Sequence, residues 1–362
     1  MSQMRSHHTH THKEETSMTL TLISIGLADE KDLTQKALDA ARNSHTLYAE
    51  LYTTYLNTTL KKLSQTVDKP IQLLPRTSYE EQSNKLLEEA KTKNIGILIG
   101  GDCLSATTHL SLILDAAKQN IPTTIIHGSS IFTAISETGL SLYKFGRTVT
   151  LPLPEKAPPT TVLRVLQENR EHGLHTLILL DLNTEKQIHL PVNKAINILL
   201  QANKPETYNQ NTLTIAVTRL GWPNSNIKAG PAHQLAQQEY GPPPHAIIIP
   251  GNLHFLEVEA LKTLADCPQE ALDNHKPIGE IQRLIEKYGK SCRNVIKNLK
   301  LQTLPSTITT EQVNALIQHA TNYLDDGEYY VTDRKPTALV SVSYAEGILD
   351  ALKLLGLVQF EW

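Results

Sequence analysis

Cysteine is nearly absent. Only Cys103, Cys267 and Cys292 occur among the 362 residues, far apart and without a CxxC pair, so neither a disulfide frame nor a zinc site is expected and a reducing compartment fits. Long apolar runs are missing as well. IGILIG, TLILLDL and HAIIIPG are of strand length, far short of the roughly 18 residues that a membrane helix needs. No secretory apolar region precedes Met18, and the expectation is a cytoplasmic protein with no membrane partner. The net charge is only -3, which gives no global electrostatic reason to expect nucleic acid as the main partner. The GxGxxG dinucleotide fingerprint is absent after the first apolar strand, and an NAD-binding reading thereby loses its specific support.

What is present reads as ordinary globular protein, 40% hydrophobic and 20% charged, with enough chain for two or three cores. The segment IGILIGGDCLSATTHLSL at 95–112 organises it. Ile95, Ile97, Leu98 and Ile99 form a strand pattern covered on both faces. Gly100 and Gly101 then allow a sharp turn, and Asp102 puts a carboxylate at the carboxyl edge of the sheet, where open α/β folds bind ligands. Ser105, Thr107 and Thr108 read as helix-start signals ahead of Leu110. Alone, such a turn is structural punctuation more often than a site.

Along the chain, residues 1–17 carry His7, His8, His10 and His12 among polar residues and predict a disordered tail; a metal-binding tract is the competing reading of its histidines. From Met18 a strand over 20–25 runs into Gly26 and then a helix with Leu33, Ala37, Leu38 and Ala41 inward. Strands and helices alternate from there, which predicts a mostly parallel sheet. Four prolines within 152–159 follow a strand-like 148–153 and mark the expected domain boundary, giving α/β lobes over 18–150 and 151–273. In the second lobe, a polar turn is expected between the strand TLTIAVTRLG and the strand HAIIIPG. From 274 the pattern turns helical to residue 362: one amphipathic helix through Ile285, Cys292 and Val295, a second capped by Thr309 and Gln312, and a third with Pro336 in its first turn. Lys287, Lys290, Arg293, Lys297 and Lys300 make a basic run on the first of these, read as a solvated face.

Four stretches, LISIGLADEKDLTQKAL, GGDCLSATTHLSL, HGSSIFTAISETGLSLYKFGRTVTLP and GPPPHAIIIPGNLHFLEVEAL, in this order and spacing resemble the diphthine synthases, a family of the tetrapyrrole methylase fold. The resemblance covers about residues 18–272. The terminal segment from NYLDDGEYY onward resembles a small archaeal helical domain of unknown function. The resemblance implies a two-lobed α/β fold with S-adenosyl-L-methionine in the cleft between lobes, a homodimer, and methyl transfer to the amino group of the modified histidine of translation elongation factor 2. The cofactor contacts it implies fall on Leu27, Asp102, Ser105, Ser130, Ile131, Leu180, Thr218 and His245; it implies no metal, and it names no general base.

The residue types suit that donor. A sulfonium with an amino acid end and an adenine needs hydroxyls and backbone groups at its polar ends and apolar walls for its ring. Two other functions fit the same fold: a methylase acting on a small tetrapyrrole-like ring, and a non-catalytic scaffold that binds a translation partner. Thr107, Thr108 and His109 invite either a catalytic or a capping role, and Tyr143, Lys144, Phe145 and Arg147 an interdomain or dimer role. The chain departs from the family pattern at Cys103 (commonly proline), Ser105 (usually apolar), Trp222 (often small) and Asn252 (lysine).

Overall fold

The computed structural model describes residues 18–75, 83–202, 204–275 and 280–362. The histidine-rich tail over residues 1–17 lies outside them. Strands β1 (Leu20–Ser24), β2 (Thr46–Glu50), β3 (Gln72–Leu73), β4 (Ile95–Ile99) and β5 (Thr123–Ile126) form a first sheet in the order β3-β2-β4-β1-β5, and every pairing is parallel. Period-2 alternation explains why both faces are apolar. Leu20, Leu22, Ile95, Ile97 and Ile99 pack under the helices Ser83–Ala90 and Leu110–Lys118. Ile23 and Leu98 point the other way, against Gln35–Asn43 and Leu60–Val67.

Strands β6 (Val149–Leu151), β7 (Thr176–Leu180), β10 (Leu213–Thr218), β11 (Asn226–Pro231) and β12 (His245–Ile249) form a second sheet in the order β11-β10-β12-β7-β6; the short strands β8 (Leu182–Asn183) and β9 (Ile188–His189) make a separate hairpin. Only β6–β7 is parallel, and the other pairs run antiparallel. Two features differ from the sequence reading. The strand before the proline cluster pairs with β7 and so belongs to the second sheet, which places the passage between sheets ahead of Val149. The polar segment after β10 contains a full edge strand, β11, in register with β10 from Leu213↔Pro231 to Thr218↔Asn226. Its residues carry no apolar alternation because an edge strand needs only one ladder and one covered face.

Beyond residue 280, the helices Glu280–Asn298, Thr310–Tyr330 and Lys335–Leu354 close a bundle around Cys292, Val313, Leu324, Val342 and Leu349. Thr309 and Gln312 form the expected capping box, and proline stands at the start of the third helix. A two-residue ladder, β13 (Lys300–Leu301) with β14 (Val358–Gln359), ties the ends of the bundle. Arg293 of the basic run bonds Asp325 and Glu328 of the neighbouring helix. Among the described residues no helix is long and apolar enough to cross a membrane.

Candidate functional site at the carboxyl ends of both sheets

Register brings the turns after the first-sheet strands to one edge. Ser24 lies opposite Ile99, so the loops leaving β1 and β4 emerge side by side. They are stitched by reciprocal backbone bonds, Gly26 N–H to Gly101 O (3.1 Å) and Gly101 N–H to Gly26 O (2.8 Å). Both glycines have positive φ, +108° and +73°, and a Cβ at Gly26 would sit 2.5 Å from that of Asp32. Only glycine fits there without displacing the backbone.

Between this edge and the matching edge of the second sheet lies a cavity of about 310 Å³. Leu27, Asp102, Ser105, Ser130, Ile131, Leu180 and His245 all line it. Thr218 does not. Strand alternation turns it to the face opposite Val217, and its hydroxyl donates to the Asn226 carbonyl at 3.2 Å, while Val217 and Arg219 reach the cavity. Thr107 and Thr108 line the cavity as well, but His109 is buried behind it, with Nδ1 3.1 Å from the Cys103 carbonyl and Nε2 3.4 Å from Glu50.

The loop over 101–109 does not become helix where the hydroxyl residues suggested it would. Ala106 adopts φ 57°, Thr107 donates back to the Cys103 carbonyl at 2.9 Å, and the helix begins only at Leu110. Asp102 shapes this loop. Its Oδ1 accepts from the Leu104 amide (3.0 Å) and the Ser105 hydroxyl (3.1 Å). Its Oδ2 accepts from His127 Nδ1 (2.8 Å) and the Gly128 amide (3.2 Å). Burial alone would raise its pKa, but these donors outweigh burial and hold it below the usual aspartate value. The carboxylate thus clamps the β4 loop to the β5 loop, and both of its oxygens are occupied.

Each position noted as departing from the family pattern has an internal bond. The Cys103 amide donates to Ser24 Oγ at 2.9 Å, a bond that proline, lacking an N–H, cannot make. Ser105 serves Asp102. Trp222 Nε1 donates across the cleft to the Leu27 carbonyl at 3.0 Å, and the Asn252 carbonyl accepts from Lys144 at 2.6 Å. Lys144 also pairs with buried Glu257, which accepts from the Ser141 amide and from His175 Nε2. Burial would raise the Glu257 pKa, but these donors and the His254 amide pull it to about 2. Lys144 is therefore a structural member of the second lobe, as is Phe145, which packs on that lobe's core and edge-on against His175, and Tyr143 is 88% exposed.

Residues not anticipated include Tyr52 and Thr53 after β2, Asp181 after β7, and Arg219. Their common signal is position at the end of a strand. Arg219 donates to the carbonyls of Asn224, Tyr240 and Pro242 and so fixes the loop leading to the cis Pro243–Pro244 bond and His245. His245 Nε2 lies 2.9 Å from the Pro242 carbonyl. A carbonyl can only accept, so Nε2 carries the proton and the neutral ring keeps its lone pair on Nδ1. That atom is buried and has no partner among the described residues. Burial first, then His189 and Arg219, push the His245 pKa down to about 4. An orphaned acceptor on a residue that lines a cavity with polar and apolar walls suits a ligand that brings an N–H or O–H donor, as an adenine or a ribose does.

Comparison with known proteins places these features. Residues 19–236 match the family described as Tetrapyrrole (Corrin/Porphyrin) Methylases, and residues 259–358 match one described as Protein of unknown function (DUF357). Diphthine synthase of Methanococcus maripaludis is 40% identical over 252 residues, 68% of this chain and 98% of that protein. The chain belongs to the diphthine synthase family of tetrapyrrole methylases. Diphthine synthase of Methanocaldococcus jannaschii is 40% identical over 254 residues, 68% of this chain and 99% of its own. A diphthine synthase crystal structure superposes with a TM-score of 0.66 at 32% identity, covering 70% of this chain and 98% of the other. A putative diphthine synthase from Entamoeba histolytica gives 0.63 at 29%, covering 68% and 98%. As a member of this family the chain is a methyltransferase, and it carries a helical domain beyond the span shared with those diphthine synthases.

Proposed function

We propose that the protein transfers methyl groups from S-adenosyl-L-methionine to the amino group of the modified histidine on translation elongation factor 2, working as a cytoplasmic homodimer. The observation that carries the cofactor reading is the buried, unpartnered Nδ1 of His245 at the wall of a cavity lined by seven of the eight residues expected to contact the donor. When bound, the donor supplies an activated methyl on a cationic sulfur. The protein's task is then orientation. His245 Nδ1 accepts from the adenosyl group, Leu27, Ile131 and Leu180 form apolar walls, and Ser105, Ser130 and the backbone of the clamped loops meet its polar ends. Holding an amine in line with a methyl carbon at near-attack distance is worth up to roughly 7–11 kcal/mol of barrier. Trp222 helps fix the two lobes at the width such a donor requires.

Calorimetry with S-adenosylhomocysteine tests the cofactor half: one saturable site per chain is expected, lost or much weakened in His245→Ala. Mass spectrometry of elongation factor 2 carrying the unmethylated precursor tests the substrate half. Mass increments of whole methyl groups are expected, and an unchanged mass with active donor binding refutes the substrate.

A further inference from the structure

The cavity is lined by a carboxylate, one oxygen of which has no hydrogen bond among the described residues, and we infer that Asp181 binds and orients the amino group that receives the methyl. This rests on the proposed amine acceptor and extends it to a named residue. Among the described residues, Asp102 and Asp181 are the carboxylates lining the cavity. Asp102 is saturated by its four donors. Of the other charged or basic groups at the walls, Arg219 is committed to three carbonyls and His245 offers a neutral acceptor.

Asp181 differs. It follows β7 directly, and its backbone is held on both sides, N–H to the Leu151 carbonyl (3.1 Å) and carbonyl to the Leu190 amide (3.0 Å). Its Oδ2 accepts from the Leu153 amide at 3.1 Å and pairs with Lys156 Nζ at 2.7 Å. Its Oδ1 has no hydrogen bond among the described residues. The side chain is only 17% exposed, so that oxygen is both shielded and fixed in direction. A rigid acceptor beside the cavity calls for a donor from the ligand, and an amine brings N–H groups.

Lys156 determines what kind of acceptor this is. A lone carboxylate would stabilise an ammonium, which has no lone pair and cannot attack carbon. With Lys156 paired to Oδ2, Asp181 serves as a hydrogen-bond acceptor for the neutral amine while favouring protonation of that amine less than a lone carboxylate would. One N–H points at Oδ1 and the nitrogen lone pair is left to face the methyl carbon. In the transfer, the nitrogen–carbon bond forms as the sulfur–carbon bond breaks, the sulfonium takes the electron pair and becomes the neutral thioether, and the alkylated nitrogen carries the positive charge. Its excess proton passes to solvent before another transfer. Each methyl added removes an N–H, so the hold of Asp181 weakens as methylation proceeds.

Asp181→Asn separates the roles, because its carbonyl oxygen can keep the Leu153 amide while its NH₂ turns a donor toward the acceptor amine. Two quantities are measured: the S-adenosylhomocysteine Kd by calorimetry, and kcat/KM for elongation factor 2 bearing the precursor amine. The Kd is expected to stay within about twofold while kcat/KM falls about tenfold or more, the loss of one charge-assisted hydrogen bond. Lys156→Met, which removes the ion pair and leaves Oδ1 in place, is expected to lose distinctly less at its own optimal pH, with the acid limb of its pH–rate profile moved to higher pH. Asp181→Ser gives the same reading if Asp181→Asn does not fold. A Kd that weakens in step with kcat/KM assigns Asp181 to the donor or to the fold and overturns the inference, as does equal loss in both variants or no loss in either. Failure of the wild-type chain to bind S-adenosylhomocysteine or to methylate the factor instead refutes the proposed function itself.

Discussion

Replacing Asp102 by alanine tests the view that this residue is a clamp between loops. The carboxylate accepts from two backbone amides, one hydroxyl and one imidazole. His127 is 67% exposed, so its pairing contributes at most about 1 kcal/mol. The amides of Leu104 and Gly128 matter more, because an amide left dry and unpaired costs about 1–3 kcal/mol. Partial hydration of a loosened loop reduces the sum, and a loss of about 2–4 kcal/mol is expected. Differential scanning fluorimetry should show the melting point of the α/β part falling on the order of 5 °C. Because the clamped loops line the cavity, S-adenosylhomocysteine affinity should fall by about tenfold or more, the added cost of ordering them on binding. Asp102→Asn should lie between, since its oxygen still serves Leu104 while its NH₂ faces the Gly128 amide. An alanine variant melting within about 1 °C of wild type and binding within about twofold would refute the clamp.

Further outcomes follow from the same contacts. Trp222→Phe keeps the ring and removes the bond to the Leu27 carbonyl, so donor affinity should drop about fivefold, near 1 kcal/mol, with little change in melting point. The pKa of His245 is depressed from 6.5 to about 4, so donor binding titrated by calorimetry should stay level as pH falls through 6.5 and weaken only toward 4, where protonated Nδ1 ceases to be an acceptor. Glu257 is depressed from 4.5 to about 2; its stabilisation is complete above pH 4.5 and is lost as pH falls toward 2, and Glu257→Gln should cost on the order of 3 kcal/mol in neutral urea unfolding. The bundle has a core drawn entirely from Ile285 onward, so a chain ending at residue 275 should lose one unfolding transition and retain S-adenosylhomocysteine binding within about twofold.

Strand interiors were the legible part of the fold. IGILI, and LILL within TLILL, are apolar at every side-chain-bearing position because both faces are covered, and their short length between turn signals favours strand. The edge strand Asn226–Pro231 escaped because its pairing, not its own composition, makes it a strand. Val149–Leu151 was visible as a strand but its sheet was not, since a segment's neighbours are set by long-range closure. The helix start near Ser105 misread residues that can cap helices; here their side chains bond within an extended loop. At the site, the family resemblance supplied most of the wall, and those residues lie at or near strand ends, while Thr218 is turned to the other face by one residue of alternation. Asp181 and Arg219 carry no local signal beyond following a strand.

The departures at Cys103, Ser105, Trp222 and Asn252 bear on how this member keeps its cavity. Three of them act on the loops around it, and all three exchange shape for hydrogen bonding. Cys103 uses the N–H that proline would lack to reach Ser24 on β1, Ser105 adds a donor to Asp102, and Trp222 ties β10's loop to the backbone of Leu27. A proline or an apolar residue stiffens a loop by limiting its own conformations or by packing, whereas these residues fix it by bonding it to a neighbouring strand or lobe. The second kind of restraint couples the parts: the β4 loop is bound to β1 through Ser24 and to β5 through Asp102, and the β1 loop is bound to the second sheet through Trp222. Loosening any one bond therefore changes the position of walls contributed by both lobes, which is why single substitutions at these residues are expected to register in donor binding more strongly than in global stability.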